Sequence, residues 1–266
     1  MTGTSAGRTA ITITTAVFGG LALVVAGGTA AFAAIGSAAS SSESQSVDAA
    51  GLGELNVDVD AAGVTVEFAD VAEATLEVDG SRGAWTLRRD GDELIVRSPQ
   101  GFFGGWFFGD WFGGEEHAVL TLPSELEGGL DAEFTLDAGG LAVRGGFDAV
   151  DAEVNAGGFE FDGSATELDV SLSAGSAGID VDGVETAELT VSAGELIAAF
   201  TGDAPVETSI EVSAGSLELT VPDEAYAVTQ EVSAGDLRNG LQTAASARSS
   251  IAVQLSAGSV ELRPAD

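Results

Sequence analysis

Apolar and polar residues alternate with a period of two through most of the second half of the chain. Before each of several Ala-Gly pairs, apolar residues lie two and four positions before the alanine, as at Phe134 and Leu136. After it they lie three and five positions on, as at Leu141 and Val143. A period of two is typical of strands with one buried face. The apolar positions change between even and odd residue numbers once, at the glycine. This change of parity predicts a turn that keeps the same face inward.

One four-residue motif carries this turn: a residue that favours strands, a small polar residue, alanine and glycine, as in residues 154–157. The glycines of its seven copies lie 18, 18, 19, 21, 20 and 23 residues apart, and a looser copy spans residues 59–63. We interpret the alanine as a small residue that faces inward, and the glycine as one that permits backbone angles other residues avoid. The predicted turn ladder consists of Ala138, Gly139, Ala156, Gly157, Ala174, Gly175, Ala193, Gly194, Ala214, Gly215, Ala234, Gly235, Ala257 and Gly258.

Two all-β architectures fit this repeat. In a single-chain β-solenoid, each unit of 18–23 residues is one coil, and equivalent residues of successive coils stack on one another. In an antiparallel hairpin meander, the glycine and the next residue form a two-residue type II′ loop. The near-constant period and the repeated Ala-Gly favour the solenoid, because stacking demands the same residue at the same corner of each coil. The meander explains the change of parity equally well.

An uncharged stretch near the N-terminus differs from the rest of the chain. Its apolar part, residues 10–35, is long enough for a transmembrane helix, which needs about 20 residues. A cleavable signal peptide has a shorter apolar region of about 7–15 residues. We therefore expect an uncleaved transmembrane helix or signal anchor over residues 9–36. Ala31-Phe32-Ala33 resembles a cleavage site, so secretion after cleavage near Ala33 is the alternative.

The same stretch sets the expected domain organisation. Arg8 is the only charged residue before it, and a positive charge favours a cytoplasmic side. We expect residues 1–8 to form a short cytoplasmic tail and the remainder to lie outside the cell membrane. The serine-rich residues 37–49 are interpreted as a flexible tether. Residues 50–266 are then the β-repeat domain.

Aromatic residues concentrate in one segment that interrupts the repeat. Residues 84–96 predict two strands joined at Asp90-Gly91. The following residues 101–114 hold seven of the chain's 17 aromatic residues among glycines, which predicts a loop. Exposed aromatic residues mark contact sites or the membrane interface, whereas a cap over an open end of the repeat would hide them. The candidate contact residues are Phe102, Phe103, Trp106, Phe107, Phe108, Trp111 and Phe112.

The charge balance excludes several classes of partner. The chain carries 43 acidic and nine basic residues, a net charge of −34, and all nine basic residues are arginine. We expect no nucleic-acid partner, because phosphate binding depends on clustered basic residues, and no nucleotide, because the phosphate-loop lysine is missing. The chain has no cysteine and therefore no disulfide or thiolate metal site.

Catalytic chemistry finds little support in the residues. His117 is the only histidine, and beside Glu115 and Glu116 it is a weak candidate for a metal ligand. Carboxylates that could act as a pair in sugar cleavage fall on outward positions of the alternation. These carboxylates are typified by Glu188, Glu195, Glu211 and Glu218. We expect a solvated acidic face, no enzyme activity, no cofactor and no metal.

The order of these motifs resembles that of a known bacterial family. The hairpin-like residues 86–99, the segment 118–126 after the aromatic loop and the train of Ser-Ala-Gly units carry the resemblance. Together they are similar to the β-strand repeat proteins named "putative adhesins", domain of unknown function 4097, over about residues 50–263. The resemblance implies right-handed parallel β-helix-like repeats, often behind a membrane segment. It supplies no catalytic or binding residues.

Two functions follow as expectations. The first is a non-enzymatic, membrane-anchored, adhesin-like module that presents a surface to protein or cell-envelope partners. The second is a regulatory or sensory component of an envelope-stress membrane complex. That alternative needs a partner for the membrane helix, because the predicted cytoplasmic tail is too short for a signalling domain. A polysaccharide-cleaving β-helix is a third and weaker possibility, because no acid pair is apparent.

Overall fold

The computed structural model describes residues 42–80, 83–99 and 116–265, and these residues form an all-β structure. The predicted all-β class is confirmed. In this part of the chain, no helix is long and apolar enough to cross a membrane. The predicted membrane segment, residues 9–36, lies outside the described residues.

The strands form two sheets of 11 strands each, which we name sheet A and sheet B. The strands, in chain order, are β1 (Glu43–Asp48), β2 (Glu54–Val59), β3 (Ala62–Ala69), β4 (Glu73–Asp79), β5 (Thr86–Asp90), β6 (Glu93–Arg97), β7 (His117–Pro123), β8 (Asp131–Leu136), β9 (Gly139–Gly146), β10 (Ala149–Val154), β11 (Gly158–Ser164), β12 (Glu167–Leu172), β13 (Ser176–Asp182), β14 (Thr186–Val191), β15 (Glu195–Thr201), β16 (Glu207–Val212), β17 (Gly215–Val221), β18 (Ala225–Val232), β19 (Asp236–Asn239), β20 (Gln242–Thr243), β21 (Ser249–Leu255) and β22 (Gly258–Pro264). A 3-10 turn, Ser124–Leu126, follows β7.

The two strands that flank each Ala-Gly corner lie in different sheets. Sheet A has the spatial order β1, β4, β7, β3, β9, β11, β13, β15, β17, β22, β19, and sheet B has the order β20, β18, β21, β16, β14, β12, β10, β8, β2, β6, β5. Equivalent strands of successive repeat units pair in parallel, so that Val150 of β10 lies opposite Leu168 of β12. Each repeat unit therefore contributes one strand to each sheet.

The inward side chains of the two sheets form one hydrophobic core. Alternating residues, such as Val170 and Leu172 on β12 and Ile179 and Val181 on β13, are buried. Aromatic rings cluster in one part of this core, where Phe134 and Phe147 meet edge to face with centroids 5.9 Å apart. Burial of one face on each sheet explains why the apolar residues recur with a period of two.

Glycine is required at the corners because the corners stack closely. Gly157 and Gly175 have φ values of +121° and +115°, which residues with a Cβ atom rarely adopt. A Cβ atom on Gly157 would lie 2.3 Å from the carbonyl oxygen of Gly139, and one on Gly175 would lie 2.1 Å from that of Gly157. The stack continues through Gly194, Gly215 and the two last glycines of the ladder.

The alanines of the ladder face outward, which corrects their interpretation as inward residues. Ala156, Ala174, Ala193, Ala214, Ala234 and Ala257 are exposed, and Ala138 is half-buried. The reason is that Val154 and Phe159, the last inward residue before a corner and the first after it, already fill the interior. The residues between them pass around the edge of the core with their side chains toward solvent.

The last two repeat units stack in the reverse of their chain order. Strand β22 lies between β17 and β19, and β21 lies between β16 and β18, so the C-terminal unit is inserted one layer inside its predecessor. The displaced unit has Gln230 and Asn239 in register with the buried Val253 and Leu262. A unit with polar residues at inward positions is best placed at the end of the stack, where water reaches them.

The opposite end of the core is covered by antiparallel strands. Strand β4 pairs with β7 and β1 pairs with β4, while β5 and β6 form the hairpin predicted at Asp90-Gly91. The side-chain amide of Gln45 donates to the carbonyl oxygen of Trp85 (2.8 Å) and accepts from the amide of Leu87 (3.1 Å). Trp85 is buried against this end.

Part of the predicted tether is ordered as a strand. Residues 43–48, within the segment 37–49 that was expected to be a flexible tether, form β1. The reason is pairing that the local composition does not reveal: the backbone of β1 joins β4, and Gln45 bridges to the edge of sheet B. The structure therefore moves the start of the β domain from residue 50 to about Glu43.

One buried hydroxyl predicts a stabilising substitution. Thr208 is fully buried at an inward position of β16, and among the described residues its Oγ1 lacks a hydrogen-bond partner. Replacing it by valine should raise the free energy of unfolding by about 1 kcal/mol, because a desolvated hydroxyl gives way to a methyl group. Urea denaturation measures the change, with Thr186→Val on the exposed face of β14 as the control for strand propensity. A loss of stability in Thr208→Val alone would show that the hydroxyl is hydrogen-bonded in solution.

Candidate interaction surface

The strands on either side of the aromatic segment are placed like the two strands of an Ala-Gly corner. Strand β6 lies in sheet B and β7 in sheet A. The backbone amide of Ser98 donates to the backbone carbonyl oxygen of Asp58, just as the amide of Asn155 donates to the carbonyl oxygen of Leu136 at a regular corner. The backbone amide of Gly63 donates to the carbonyl oxygen of Glu116. The seven candidate aromatic residues lie outside the described residues, so their contact role stays a prediction.

A side-chain hydrogen bond forms at the residue before the single histidine. Trp85 Nε1 donates to Glu116 Oε1 at 2.5 Å, which joins the residue before β7 to Trp85 at the covered end of the core. His117 is exposed at the start of β7. Across the described ranges 42–80, 83–99 and 116–265, no three acidic, histidine or cysteine side chains come together as a metal-binding group. Glu115 is outside these ranges.

The outer face of sheet B carries an acidic ladder. Glu133, Asp151, Asp169 and Glu188 lie in register on four adjacent parallel strands, and we name these four residues the acidic ladder. Neighbouring strands are about 4.8 Å apart, so each carboxylate has another within reach of its field. None of the strands β8, β10, β12, β14, β16 and β21 contains an arginine.

Partial burial and, after it, this crowding shift the pKa values of three ladder carboxyl groups. Partial burial and then the charges of Asp151 and Glu188 raise the pKa of Asp169 to about 6. Partial burial first, and then neighbouring carboxylates, also raise the pKa of Asp151 and of Glu133. For Glu133, a hydrogen bond from Asn56 partly opposes the rise. The ladder is therefore destabilising when it is fully ionised.

We predict that mild acidification makes the contribution of the acidic ladder to the free energy of unfolding more favourable. Since the pKa of Asp169 is raised from 3.8 to about 6 in the folded state, stability is lost as pH rises through that range and regained as it falls. After allowance for solvent screening, Asp169→Asn should be about 1 kcal/mol more stable than the original chain at neutral pH. The gain should shrink toward pH 4 or so, as measured by urea denaturation across pH.

The exposed turn residue Asp203 supplies the control for this substitution. Asp203→Asn removes one negative charge without touching the acidic ladder. An equal gain in both variants would assign the effect to net charge and would contradict a specific role of the ladder.

Sheet A balances its charges differently at its C-terminal end. Arg263 forms ion pairs with Glu218 and with Glu261 (2.9 Å), and Arg238 lies 3.8 Å from Glu261. The hydrogen bond from Arg263 lowers the pKa of Glu261. These pairs are exposed and contribute little to stability, but they remove free carboxylates from this part of the face.

The outward carboxylates named from the sequence divide between the two faces. Glu188 and Glu211 lie on sheet B, whereas Glu195 and Glu218 lie on sheet A. Sequence reasoning placed them outward but did not bring Glu133, Asp151 and Asp169 together. The alternation gives the face of each residue, and the available signal for their stacking was the repeat spacing of 18 residues between Glu133, Asp151 and Asp169.

Solved structures from three species are similar to the chain. The chain is similar to a "putative cell adhesion protein" from Clostridium sporogenes, with 9% identity over 85% of this chain and 100% of that chain and a TM-score of 0.38. It is similar to a "putative adhesin" from Bacteroides fragilis, with 8% identity, coverage of 83% and 96% and a TM-score of 0.41. A "putative adhesin" from Parabacteroides merdae is 13% identical, with coverage of 84% and 95% and a TM-score of 0.38.

No protein-family model and no curated protein sequence matches the chain. Since the TM-scores of the similar structures lie below 0.5, function has to be argued from the residues of this chain.

Proposed function

We propose that the chain is a non-enzymatic, adhesin-like surface module, anchored in the cell membrane and extending outside it. Its described residues would form a β-solenoid in which each repeat unit is one coil. Its partners would be a protein or another component of the cell envelope. The N-terminal segment would supply the membrane anchor, and no nucleic acid, nucleotide or cofactor would take part.

The in-register stacking of repeat units is the observation that carries the proposal. Strands such as β10, β12 and β14 pair in parallel over their full length, so each outward side chain has a counterpart one strand away. The same holds for β11, β13 and β15 on sheet A. Stacks of this kind create extended, ordered faces that proteins use for binding. The strongly negative charge keeps such a surface soluble.

Retention of envelope material tests the proposed activity. The full chain is inserted in lipid nanodiscs, immobilised, and exposed to bacterial cell-wall and membrane fragments. We expect retention above that of empty nanodiscs, and absence of retention would overturn the proposal. Replacing the seven aromatic residues of segment 101–114 by serine tests whether this segment or the rest of the domain makes the contact. Unchanged retention in that variant would show that the aromatic segment is not part of the contact surface.

Anchoring and the lack of enzyme activity are tested separately. Limited proteolysis of intact cells should remove the β domain and leave a membrane-bound fragment whose mass includes residues 1–36. A mature chain that begins near Ala34 and lies in the medium would overturn the anchor. Incubation with uronate polymers should release no sugar, and cleavage would contradict a non-enzymatic module.

A further inference from the structure

A groove crosses the outer face of sheet A near its corners. It is an open depression of about 520 Å³ and runs across the strands from β7 through β3, β9, β11 and β13 to β15. Glycines form much of its floor, and larger side chains stand at its ends and rim. We name it the glycine groove and define it by Gly63, Gly140, Gly158 and Gly178 in the floor and His117, Glu160, Glu195 and Ile197 at the rim.

The fold does not require three of the floor glycines. Gly140, Gly158 and Gly178 have no left-handed backbone angle. A Cβ atom on Gly140 or Gly158 would meet its nearest neighbour at 4.0 or 3.9 Å, and one on Gly178 would meet nothing within 4 Å. The corner glycine Gly157, by contrast, would collide with backbone. Glycine within a strand weakens it, and where no turn needs it, glycine marks a place where a ligand or another backbone approaches closely.

The rim supplies an apolar contact and two carboxylates. The side chain of Ile197 is 49% exposed, although isoleucine is usually buried. Glu160 and Glu195 are exposed, and no arginine of the described residues forms an ion pair with either. Asp162 and Asp180 extend the negative charge along the same face, and Arg144 of β9 is the basic residue beside them. The groove thus combines a bare backbone floor with an apolar end and a negative rim.

We propose that the glycine groove binds an extended, basic segment of a partner protein. The floor without side chains admits a backbone at close range. An apolar side chain of the partner would lie against Ile197, and its lysine or arginine side chains would reach Glu160 and Glu195. Charge complementarity selects this occupant, because the rim and the net charge of −34 repel anionic surfaces. The inference deepens the proposed function and rests on it.

Binding of a defined peptide to the full chain tests the groove. The probe is a fluorescein-labelled octapeptide of alternating lysine and valine, and fluorescence anisotropy gives its Kd. Gly158→Val and Gly178→Val should each weaken binding by about tenfold or more, because the added side chain would occupy the floor on which the peptide backbone lies while folding is retained. Ala199→Val adds bulk on the same face outside the groove and is the matched control. Thermal unfolding of the glycine variants should occur at the same or a higher temperature, since valine favours strands.

Charge substitutions distinguish binding of the peptide in the groove from its general attraction to an acidic protein. The double variant Glu160→Gln, Glu195→Gln should weaken binding by about tenfold, whereas Glu188→Gln on sheet B should change it less than about twofold. Equal effects of the two would overturn the proposal in favour of diffuse electrostatics. Absence of probe binding, or binding that survives both glycine variants, would overturn it as well. Tighter binding after deletion of residues 101–114 would show that the chain's own segment occupies the groove, which also contradicts a partner site.

Envelope retention distinguishes failure of the groove from failure of the proposed function. If Gly158→Val retains envelope fragments as well as the original chain, the groove is not the contact site but the surface module stands. If the original chain retains none, the proposed function fails irrespective of the peptide result.

Discussion

Replacing Gly175 by alanine should lower the free energy of unfolding by about 3 kcal/mol or more, and urea denaturation would measure it. Two physical effects combine at this corner. The φ of +115° disfavours any residue with a Cβ atom, and the new Cβ atom would lie 2.1 Å from the carbonyl oxygen of Gly157. Because the corners stack on each other, relief at one corner would displace the backbone of the next. The same substitution at Gly157 should have a similar effect.

A glycine three residues further along provides the matched control. Gly178 lies on strand β13, has no left-handed backbone angle and has open space where a Cβ atom would be. Gly178→Ala should therefore leave stability unchanged or raise it slightly, because alanine loses less backbone entropy than glycine. Equal losses in Gly175→Ala and Gly178→Ala would show that close stacking of the corners does not determine where glycine is needed.

Removing residues 249–266 should destabilise the C-terminal end of the domain severely. Strands β21 and β22 carry five buried apolar side chains between two other layers, namely Ile251, Val253, Leu255, Val260 and Leu262. We expect the free energy of unfolding to fall by more than about 5 kcal/mol, given about 1.5–3 kcal/mol for each such side chain. Residues 225–239 should also lose slow amide hydrogen exchange, since β18 and β19 pair along most of their length with β21 and β22.

A truncation of the last two residues, 265–266, is the control, because these residues follow β22. The informative alternative is continued protection of residues 225–239 in the longer truncation. That result would mean that this unit can pair directly with β16 and β17, and that the inserted unit is not needed to hold it.

Corner positions were predictable because they follow from a local rule. A change of parity at a fixed glycine, as at Gly139 and Gly157, places the turn without any knowledge of the neighbouring strand. The hairpin at Asp90-Gly91 was predictable because it too follows from a local rule. The direction of the corner alanines was not, because it depends on how much room Val154 and Phe159 leave inside.

Contacts between residues that are far apart in the sequence could not be predicted from local patterns. The pairing of β1 with β4, and the bridge from Gln45 to Trp85 and Leu87, ordered a stretch whose serine-rich composition indicates flexibility. The reversed order of the last two units was also hidden, because both carry the same Val/Leu-Ser-Ala-Gly corner. Gln230 and Asn239 were the available signal: they break the alternation at inward positions and so mark the unit that belongs at the end.

For the candidate surfaces too, the outward positions of the residues were predictable from the sequence, whereas their grouping was not. Outward positions of Glu160, Glu195 and Ile197 follow from alternation within single strands. Their assembly into a groove depends on the register of six neighbouring strands and on glycines whose freedom from packing appears only once the surrounding atoms are placed. The raised pKa of Asp169 likewise arises from partial burial and then from carboxylates on the strands to either side, and both depend on the assembled sheet.

The amino-acid pattern was sufficient for the β class, for the inward face of most strands and for the corners, because each depends on residues a few positions apart. Tertiary structure decided which strands became neighbours, the order of the last two units, the outward direction of the corner alanines and the grouping of the acidic ladder. The physical reason is that identical corner motifs make several pairings locally equivalent. The choice among them rests on burial summed over a whole layer, where the polar Gln230 and Asn239 are tolerated at the end of the stack and Val253 and Leu262 are buried within it.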